Sequence, residues 1–191
     1  MYILFCSTAF SQPKTGLESY NYLRSGKESV WMPVVHHLTG KGIYTEMRYN
    51  YEELGTVSLY GGRSFNGEGK LSYDITPMLG AVIGKYNGGS VAMNIDLGYK
   101  KIEVSTQAQY TVNTDSHTDN FFFNWSELTY QPLKWISAGL SIQQTKLYKT
   151  NLKSEYGVLA CFSIKNFSLP VYLFSPFSNE QNIIVGINFE W

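Results

Sequence analysis

Apolar and polar residues alternate with a period of two along most of this 191-residue chain, from about residue 42 to its last residue. Because successive side chains of a β-strand point to opposite faces, each such run predicts a strand with one apolar and one polar face. Nowhere does a helical period compete with this alternation, so the sequence predicts an all-β chain. In two consecutive runs this face consists of Val91, Met93, Ile95, Leu97 and Tyr99, and then of Ile102, Val104, Thr106, Ala108, Tyr110 and Val112.

Turn-forming residues divide these runs into about twelve strands, with ten to twelve as the range, beginning near Ser29. One division is placed at Thr76-Pro77, and without it the count falls to eleven. Twelve strands over residues 29–191 allow about 14 residues for each strand and turn, enough for the 9–11 residues of a tilted transmembrane strand. An even number also lets an antiparallel sheet close with both ends on one side.

Charge indicates which face of these strands meets solvent. A soluble, lipocalin-like barrel would show its polar face to water, and soluble surfaces carry about 25–35% charged residues. Here charged residues make up 16% of the chain, and the polar face of residues 102–112 carries one charge, Glu103. The sequence therefore predicts a transmembrane antiparallel up-and-down β-barrel in the bacterial outer membrane, with Ile95, Val104 and Ile187 facing lipid.

Aromatic residues near the predicted strand ends support the membrane interpretation. Aromatic side chains form girdles at both membrane–water interfaces of outer-membrane barrels. Such a girdle is predicted on the outer surface, formed by Tyr49, Tyr51, Tyr99, Tyr110, Trp135, Phe189 and Trp191.

The chain divides into three parts. Residues 1–11 are apolar and end in small residues, as in a secretory signal peptide, although no basic residue precedes the apolar run. Residues 12–28 are polar and patternless, and we expect a periplasmic N-terminal tail or an insert in the lumen. Residues 29–191 form the barrel. The long connection at 113–119 is expected outside the cell, and those at Thr76-Pro77, 99–101, 131–134 and 165–166 in the periplasm.

A barrel of twelve strands lies between small filled barrels and wide porins, which predicts a narrow lumen. Within it, Glu46 and Arg48 with Asp96 and Glu103 form either a charged constriction that selects solutes or a paired structural network. The residues predicted to line the lumen are Tyr44, Glu46, Arg48, Asn50, Asn94, Asp96, Glu103, Gln107, Gln109, Ser141, Gln143, Glu155, Asn188 and Glu190.

Candidate chemistry elsewhere in the chain is sparse. His36 and His37 are adjacent, so on a strand they point to opposite faces and cannot act together. Residues 115–119 carry oxygen ligands but lack the Gly and the bidentate Glu of a calcium loop, and we interpret them as a solvated loop. With 15 basic and 15 acidic residues, the chain lacks the positive charge that nucleic-acid binding requires. Neither a cofactor, a metal nor a catalytic residue is predicted.

Residues 49–53, 74–80 and 125–135 resemble segments of uncharacterised outer-membrane β-barrels of Bacteroidota-type Gram-negative bacteria. The last strand, which ends in Phe189 and Trp191, resembles the C-terminal strand by which such barrels are recognised for assembly. The resemblance implies two kinds of partner, outer-membrane lipid and the barrel-assembly machinery.

Three functions remain open at this point. The first is a passive, narrow channel for small polar solutes. The second is a non-conducting structural or partner-binding barrel of an envelope complex, whose partner is unknown. The third is an outer-membrane lipid hydrolase or acyltransferase.

Overall fold

The computed structural model describes residues 13–24, 28–115, 120–147, 152–178 and 180–191. The predicted signal peptide therefore lies outside the described residues. Within them, no helix is long and apolar enough to span a membrane. The strands are β1 (Lys14–Arg24), β2 (Val30–Leu38), β3 (Ile43–Tyr49), β4 (Thr56–Arg63), β5 (Phe65–Gly67), β6 (Ser72–Gly84), β7 (Gly88–Tyr99), β8 (Ile102–Asn113), β9 (Phe121–Leu133), β10 (Ile136–Leu147), β11 (Lys153–Ile164), β12 (Phe167–Phe174) and β13 (Asn182–Glu190).

Antiparallel pairing runs round the whole sheet and closes it. β1 pairs with β2 on one side and with β13 on the other, where Gly16 lies opposite Glu190. At the other junction β4 and β5 follow each other along the same edge of β6, so together they occupy one strand position. The result is a closed, up-and-down barrel of twelve strand positions, which confirms the predicted fold class.

The predicted tail or insert over residues 12–28 is wrong, because Lys14–Arg24 is the first strand of the barrel. Its outward face carries polar Ser19 and Asn21 between Leu17 and Leu23, which interrupts the apolar alternation. Ser19 is nevertheless covered on that face, since the Trp31 indole N–H donates to its hydroxyl over 2.8 Å. The barrel therefore begins near residue 14 instead of residue 29.

The predicted division at Thr76-Pro77 is also wrong, because both residues lie inside β6. The pairing of β6 with β4 ends at Met78, and its pairing with β5 begins at Ile75. Thr76 and Pro77, which lie between, therefore pair with neither β4 nor β5. Proline has no N–H to donate and is tolerated in a sheet where the ladder is interrupted. The prediction thus divided β6 into two strands and missed β1, and the two errors cancel in the total of twelve strands.

The outer surface of the barrel is apolar and the lumen face is polar or aromatic. Val104 and Ile187 are 37% and 45% exposed, while inward-facing Thr111 and Ser58 are fully buried. The predicted orientation is therefore confirmed, and the soluble alternative, with an apolar core inside and a polar coat outside, does not describe this barrel.

The two ends of the barrel differ. Both described termini lie at one end, which we call the terminal end, together with the turns at 39–42, 68–71, 100–101, 134–135 and 165–166. At the two-residue turns Lys100 and Lys165 adopt positive φ angles of 57° and 54°. Short turns are typical of the periplasmic side of outer-membrane barrels. The opposite end, which we call the loop end, contains the turn at residues 50–55 that enters the lumen.

Candidate functional site

An open vestibule of about 1270 Å³ occupies the part of the lumen nearest the terminal end. Inward-facing side chains of β1–β3 and β6–β8 form its wall, and the β5–β6 and β7–β8 turns form its rim. Because the strands alternate strictly here, the polar side chains of each strand converge on this space. Five residues predicted for the lumen line it: Tyr44, Asn94, Asp96, Glu103 and Glu190.

Carboxylates line one side of this vestibule. Asp74 on β6 and Asp96 on β7 are partners in the sheet register, so both lie at the same level of the wall. Asp74 accepts hydrogen bonds from the hydroxyls of Ser64 (2.8 Å) and Thr76 (3.0 Å). Across the described ranges, neither these two aspartates nor Glu103 forms an ion pair. Four lysines, Lys14, Lys70, Lys100 and Lys101, line the same vestibule against six carboxylates, so its described lining carries a small excess of negative charge.

His36 faces the vestibule from β2. Its Nδ1 lies 3.3 Å from a carboxylate oxygen of Glu18, and its ring stacks on Tyr44 with centroids 5.8 Å apart. His37 points to the outer face, where its Nδ1 lies 2.8 Å from the Thr15 hydroxyl. The two imidazoles thus lie on opposite sides of the barrel wall, as the alternation predicts.

A buried polar network lies between the vestibule and the loop end. Arg48 is fully buried, forms an ion pair with Glu46 on the same strand, and donates to the Gln109 amide oxygen on β8 over 2.8 Å. A buried charge requires such partners. Of the four residues predicted for a charged constriction, two therefore neutralise each other here, while Asp96 and Glu103 line the vestibule.

Aromatic and aliphatic side chains fill the part of the lumen nearest the loop end. Trp125 on β9 contacts Tyr20 on β1 and Tyr172 on β12, with ring centroids 5.6 and 5.0 Å away. Its indole N–H donates to the Ser141 hydroxyl over 2.8 Å. The lumen is therefore open at one end and packed at the other. The other buried members of this aromatic cluster are Tyr22, Met32, Val82, Tyr86, Phe121, Phe123, Leu159, Phe174 and Ile184.

The β3–β4 turn, residues 50–55, folds into this packed half. The Tyr51 hydroxyl donates to the Gln107 amide oxygen on β8, and its ring packs edge-on against Phe123 at 5.2 Å. Glu52 is buried and accepts a hydrogen bond from the Gln109 amide over 2.6 Å. The prediction that Tyr51 belongs to the outer girdle is wrong, because the turn breaks the alternation of β3.

Asn50 lies in this turn, not on the lumen wall where it was predicted. It has a positive φ angle of 60°, which Asn tolerates better than most residues. Its side-chain amide donates to the Trp31 carbonyl over 3.0 Å, and its side-chain oxygen accepts from the Gly55 N–H over 2.8 Å. Asn50 therefore closes the turn and attaches it to β2.

The remaining predicted lumen residues all occupy inward positions. Ser141 and Gln143 are each 4% exposed, and Gln143 donates to the Tyr22 hydroxyl on β1 over 3.2 Å. Glu155 forms an ion pair of 3.5 Å with Lys153. Asn188 lies beside Glu18 in the sheet register.

Several residues of the lumen are not predicted from the sequence. Glu18, Tyr20 and Tyr22 belong to the strand that was interpreted as a tail. Tyr172 lies on β12, whose inward and outward residues are both apolar near the loop end, so alternation does not separate the faces. Trp125 lies on β9, where the alternation is reversed, with aromatic residues inside and Asn124 and Ser126 outside. A run of aromatic residues at every second position, as in residues 121–125, is the signal that marks this cluster.

A scan against protein-family models finds no match, and a search of curated proteins finds none either. Solved structures do share the fold. A KdgM porin superposes with a TM-score of 0.65 at 12% identity, over 91% of this chain and 98% of that one. A NanC porin gives 0.59 at 9% identity, over 90% and 97%. Acinetobacter baumannii Omp33 gives 0.52 at 10% identity, over 94% and 98%.

Fold and lumen together define the class of protein. In hydrocarbon every backbone polar group must be satisfied internally, and a closed barrel with an apolar exterior achieves this. The chain is thus a porin-like β-barrel of the bacterial outer membrane. At these identities, the similarity to KdgM, NanC and Omp33 is one of fold alone.

Proposed function

We propose that the barrel provides a passive path for small polar solutes across the outer membrane. The observation that carries this proposal is the vestibule of about 1270 Å³, which opens at the terminal end and is lined by hydroxyl, amide and carboxylate groups. Such groups replace part of a solute's hydration shell, so entry costs little free energy. The packed half of the lumen keeps the path narrow and limits the size of the solute.

The charged residues of the vestibule wall affect which class of solute can enter the lumen. Asp74, Asp96 and Glu103 would attract cations and repel anions in a narrow lumen. One of the similar structures is a KdgM porin in complex with disordered oligogalacturonate, which is an acidic oligosaccharide. The six carboxylates that line this vestibule outnumber its four lysines and would oppose a polyanion, so neutral or cationic solutes suit the present lumen better.

Liposome swelling tests permeation directly. Liposomes that contain the purified barrel should swell in solutions of small neutral sugars and amino acids, at rates that fall as the solute grows. Asn94→Trp places a bulky ring in the vestibule and should slow swelling. Met93→Trp is the matched control, because Met93 faces lipid and is 39% exposed. Absence of swelling with correctly folded wild-type barrel would reject the channel.

A non-conducting structural or partner-binding barrel is the second candidate. The aromatic cluster around Trp125 favours it, because its densely packed side chains fill much of the loop half of the lumen. Planar bilayers separate the two functions: stable unitary currents support the channel, whereas insertion without current supports the structural barrel.

The lipid-modifying enzyme is a weaker candidate, since His36 and His37 occupy opposite faces of the wall. We expect His36→Ala and His37→Ala to leave lipid turnover in reconstituted vesicles at the background of protein-free vesicles. Turnover that either substitution abolishes would support the enzyme instead.

The likeness to Bacteroidota-type barrels also remains a proposal. Its support is residues 49–53, 74–80 and 125–135, and a more closely related sequence of known source would test it.

A further inference from the structure

The β3–β4 turn, residues 50–55, is attached to the rest of the barrel in two different ways. At its base, the backbone N–H of Asn50 donates to the Thr56 carbonyl over 2.9 Å, next to the end of the β3–β4 ladder. Its inner part is held by side-chain contacts alone: Tyr51 to Gln107 and Glu52 to Gln109 on β8, and Glu52 also to the hydroxyls of Ser58 and Tyr60 on β4. The inner part can therefore detach without breaking a strand pairing of the barrel.

The turn has conformationally permissive residues on both sides of its inner part. Asn50 and Gly55 have positive φ angles of 60° and 75°. Glycine adopts both signs of φ with little penalty, and Asn tolerates the left-handed region. Between them Leu54 is exposed, so it does not anchor the turn in the lumen. These positions allow a rotation of the segment that carries Tyr51 and Glu52.

Cationic and aromatic contacts align Tyr51 in the lumen. The Arg48 guanidinium carbon lies 4.5 Å from the centre of the Tyr51 ring. The same ring also packs edge-on against Phe123 on β9. Glu52 also accepts a hydrogen bond from the Tyr60 hydroxyl over 3.2 Å. The two side chains of the turn thus bridge the polar wall and the aromatic cluster, where the lumen changes from open to packed.

We propose that the β3–β4 turn is the gate of this lumen. With Tyr51 and Glu52 docked on Gln107 and Gln109 the path is closed, and when the turn swings toward the loop end the vestibule becomes continuous with the exterior. This inference rests on the proposed channel function. It explains how a barrel whose vestibule ends at packed side chains can conduct.

Single-channel recording of Tyr51→Ala tests the gate. Loss of the Tyr51 contacts should raise the open probability about fivefold, the change that corresponds to roughly one net hydrogen bond. Tyr49→Ala is the matched control, since Tyr49 is two residues away, 38% exposed and faces lipid. Gln107→Leu removes the docking partner without altering the turn, and it should open the lumen in the same way.

Cross-linking tests the movement itself. Glu52→Cys and Gln109→Cys are combined in a chain whose two native cysteines, Cys6 and Cys161, are replaced by serine. Without a cross-linker this variant should conduct more than its serine-only parent. A short bifunctional thiol reagent that bridges the two positions should silence it, and cleavage of the bridge should restore the current.

The outcomes separate the gate from the channel. If wild type conducts and neither Tyr51→Ala nor Gln107→Leu changes the open probability, the gate is wrong and the channel stands. If folded wild type is silent and only the variants conduct, the native barrel does not conduct and both proposals fail. If folded wild type and variants are all silent, both proposals fail. Equal currents before and after cross-linking would also overturn the gate.

Discussion

Arg48 and Gln109, which are 61 residues apart in the chain, are joined across the lumen by a hydrogen bond of 2.8 Å. The amide of the same Gln109 donates to Glu52 over 2.6 Å, so β3, the β3–β4 turn and β8 belong to one hydrogen-bonded unit. In a buried network each group depends on its neighbours, because a lost partner leaves a polar atom unsatisfied. This unit should therefore determine both the stability of the barrel and the closure of its lumen.

Arg48→Met should lower the free energy of unfolding by about 3–5 kcal/mol, because it leaves the buried carboxylate of Glu46 without its partner. Denaturant titration of the barrel in detergent micelles, followed by tryptophan fluorescence, measures the change. Arg63→Met is the control, since Arg63 is exposed and lies 5.8 Å from the Phe65 ring. Its loss should cost at most about 1 kcal/mol. Equal losses in the two variants would contradict the buried network.

Trp125→Ala should cost about 3–5 kcal/mol of unfolding free energy, because it opens a cavity within the aromatic cluster. The same titration, followed by circular dichroism, measures it. Trp135→Ala is the matched control, since Trp135 is 51% exposed on the outer face and leaves no internal cavity. A loss at Trp125 no larger than that at Trp135 would show that the cluster does not pack as described.

The barrel should prefer cations over anions. Six carboxylates line the vestibule against four lysines. Because Asp96 and Glu103 form no ion pair in the described part of the chain, they lower the energy of a cation in the lumen. The reversal potential of planar bilayers in a KCl gradient gives the permeability ratio. Asp96→Asn with Glu103→Gln should move that ratio toward one.

Glu28→Gln is the control for charge selectivity, because Glu28 is exposed and belongs neither to the vestibule lining nor to the β3–β4 turn. It should leave the permeability ratio unchanged. An anion-selective wild type, or an equal shift in the control, would contradict the role of the vestibule carboxylates, whereas absence of all current would instead reject the channel.

Most of the fold follows from alternation, because side-chain direction in a strand depends only on the parity of the residue number. Every residue of 102–112 therefore has its face determined by its neighbours, and the orientation of Val104 and Thr111 could be predicted. The parity of the residue number no longer predicts the face of a side chain where a turn reverses the chain. Tyr51 is two residues beyond Tyr49, yet the turn brings it from the lipid side into the lumen.

The first strand could not be predicted because its outward face mixes Leu17 and Leu23 with polar Ser19 and Asn21, so the alternation is interrupted. Ser19 is covered by the Trp31 indole of the adjacent strand, a contact that depends on the register of β1 with β2. Likewise, the sequence does not reveal that Arg48 reaches Gln109, since their contact follows from closure of the barrel and not from either local segment. Long-range packing, in contrast to strand direction, requires the assembled structure.

Two aromatic residues of the last strand bear on assembly of the barrel. Phe189 and Trp191 lie on the outer face at the terminal end, with ring centroids 5.4 Å apart, next to the β1–β13 seam that closes the barrel. We propose that the assembly machinery recognises these two aromatic residues. Replacing both by alanine should sharply reduce the amount of folded barrel in the outer membrane of expressing cells, while refolding of the purified chain into detergent stays near wild type.

The matched control for assembly is another stacked pair on the outer face, Trp135 and Phe162, whose ring centroids are 6.4 Å apart. The double alanine variant at these positions removes similar aromatic area from the girdle but leaves the last strand intact. Heat-modifiable mobility on SDS gels separates folded from unfolded barrel in both experiments. If the two double variants lose folded barrel to the same extent in cells, or if Phe189 and Trp191 are equally necessary for refolding in detergent, these residues contribute to membrane anchoring and not to recognition.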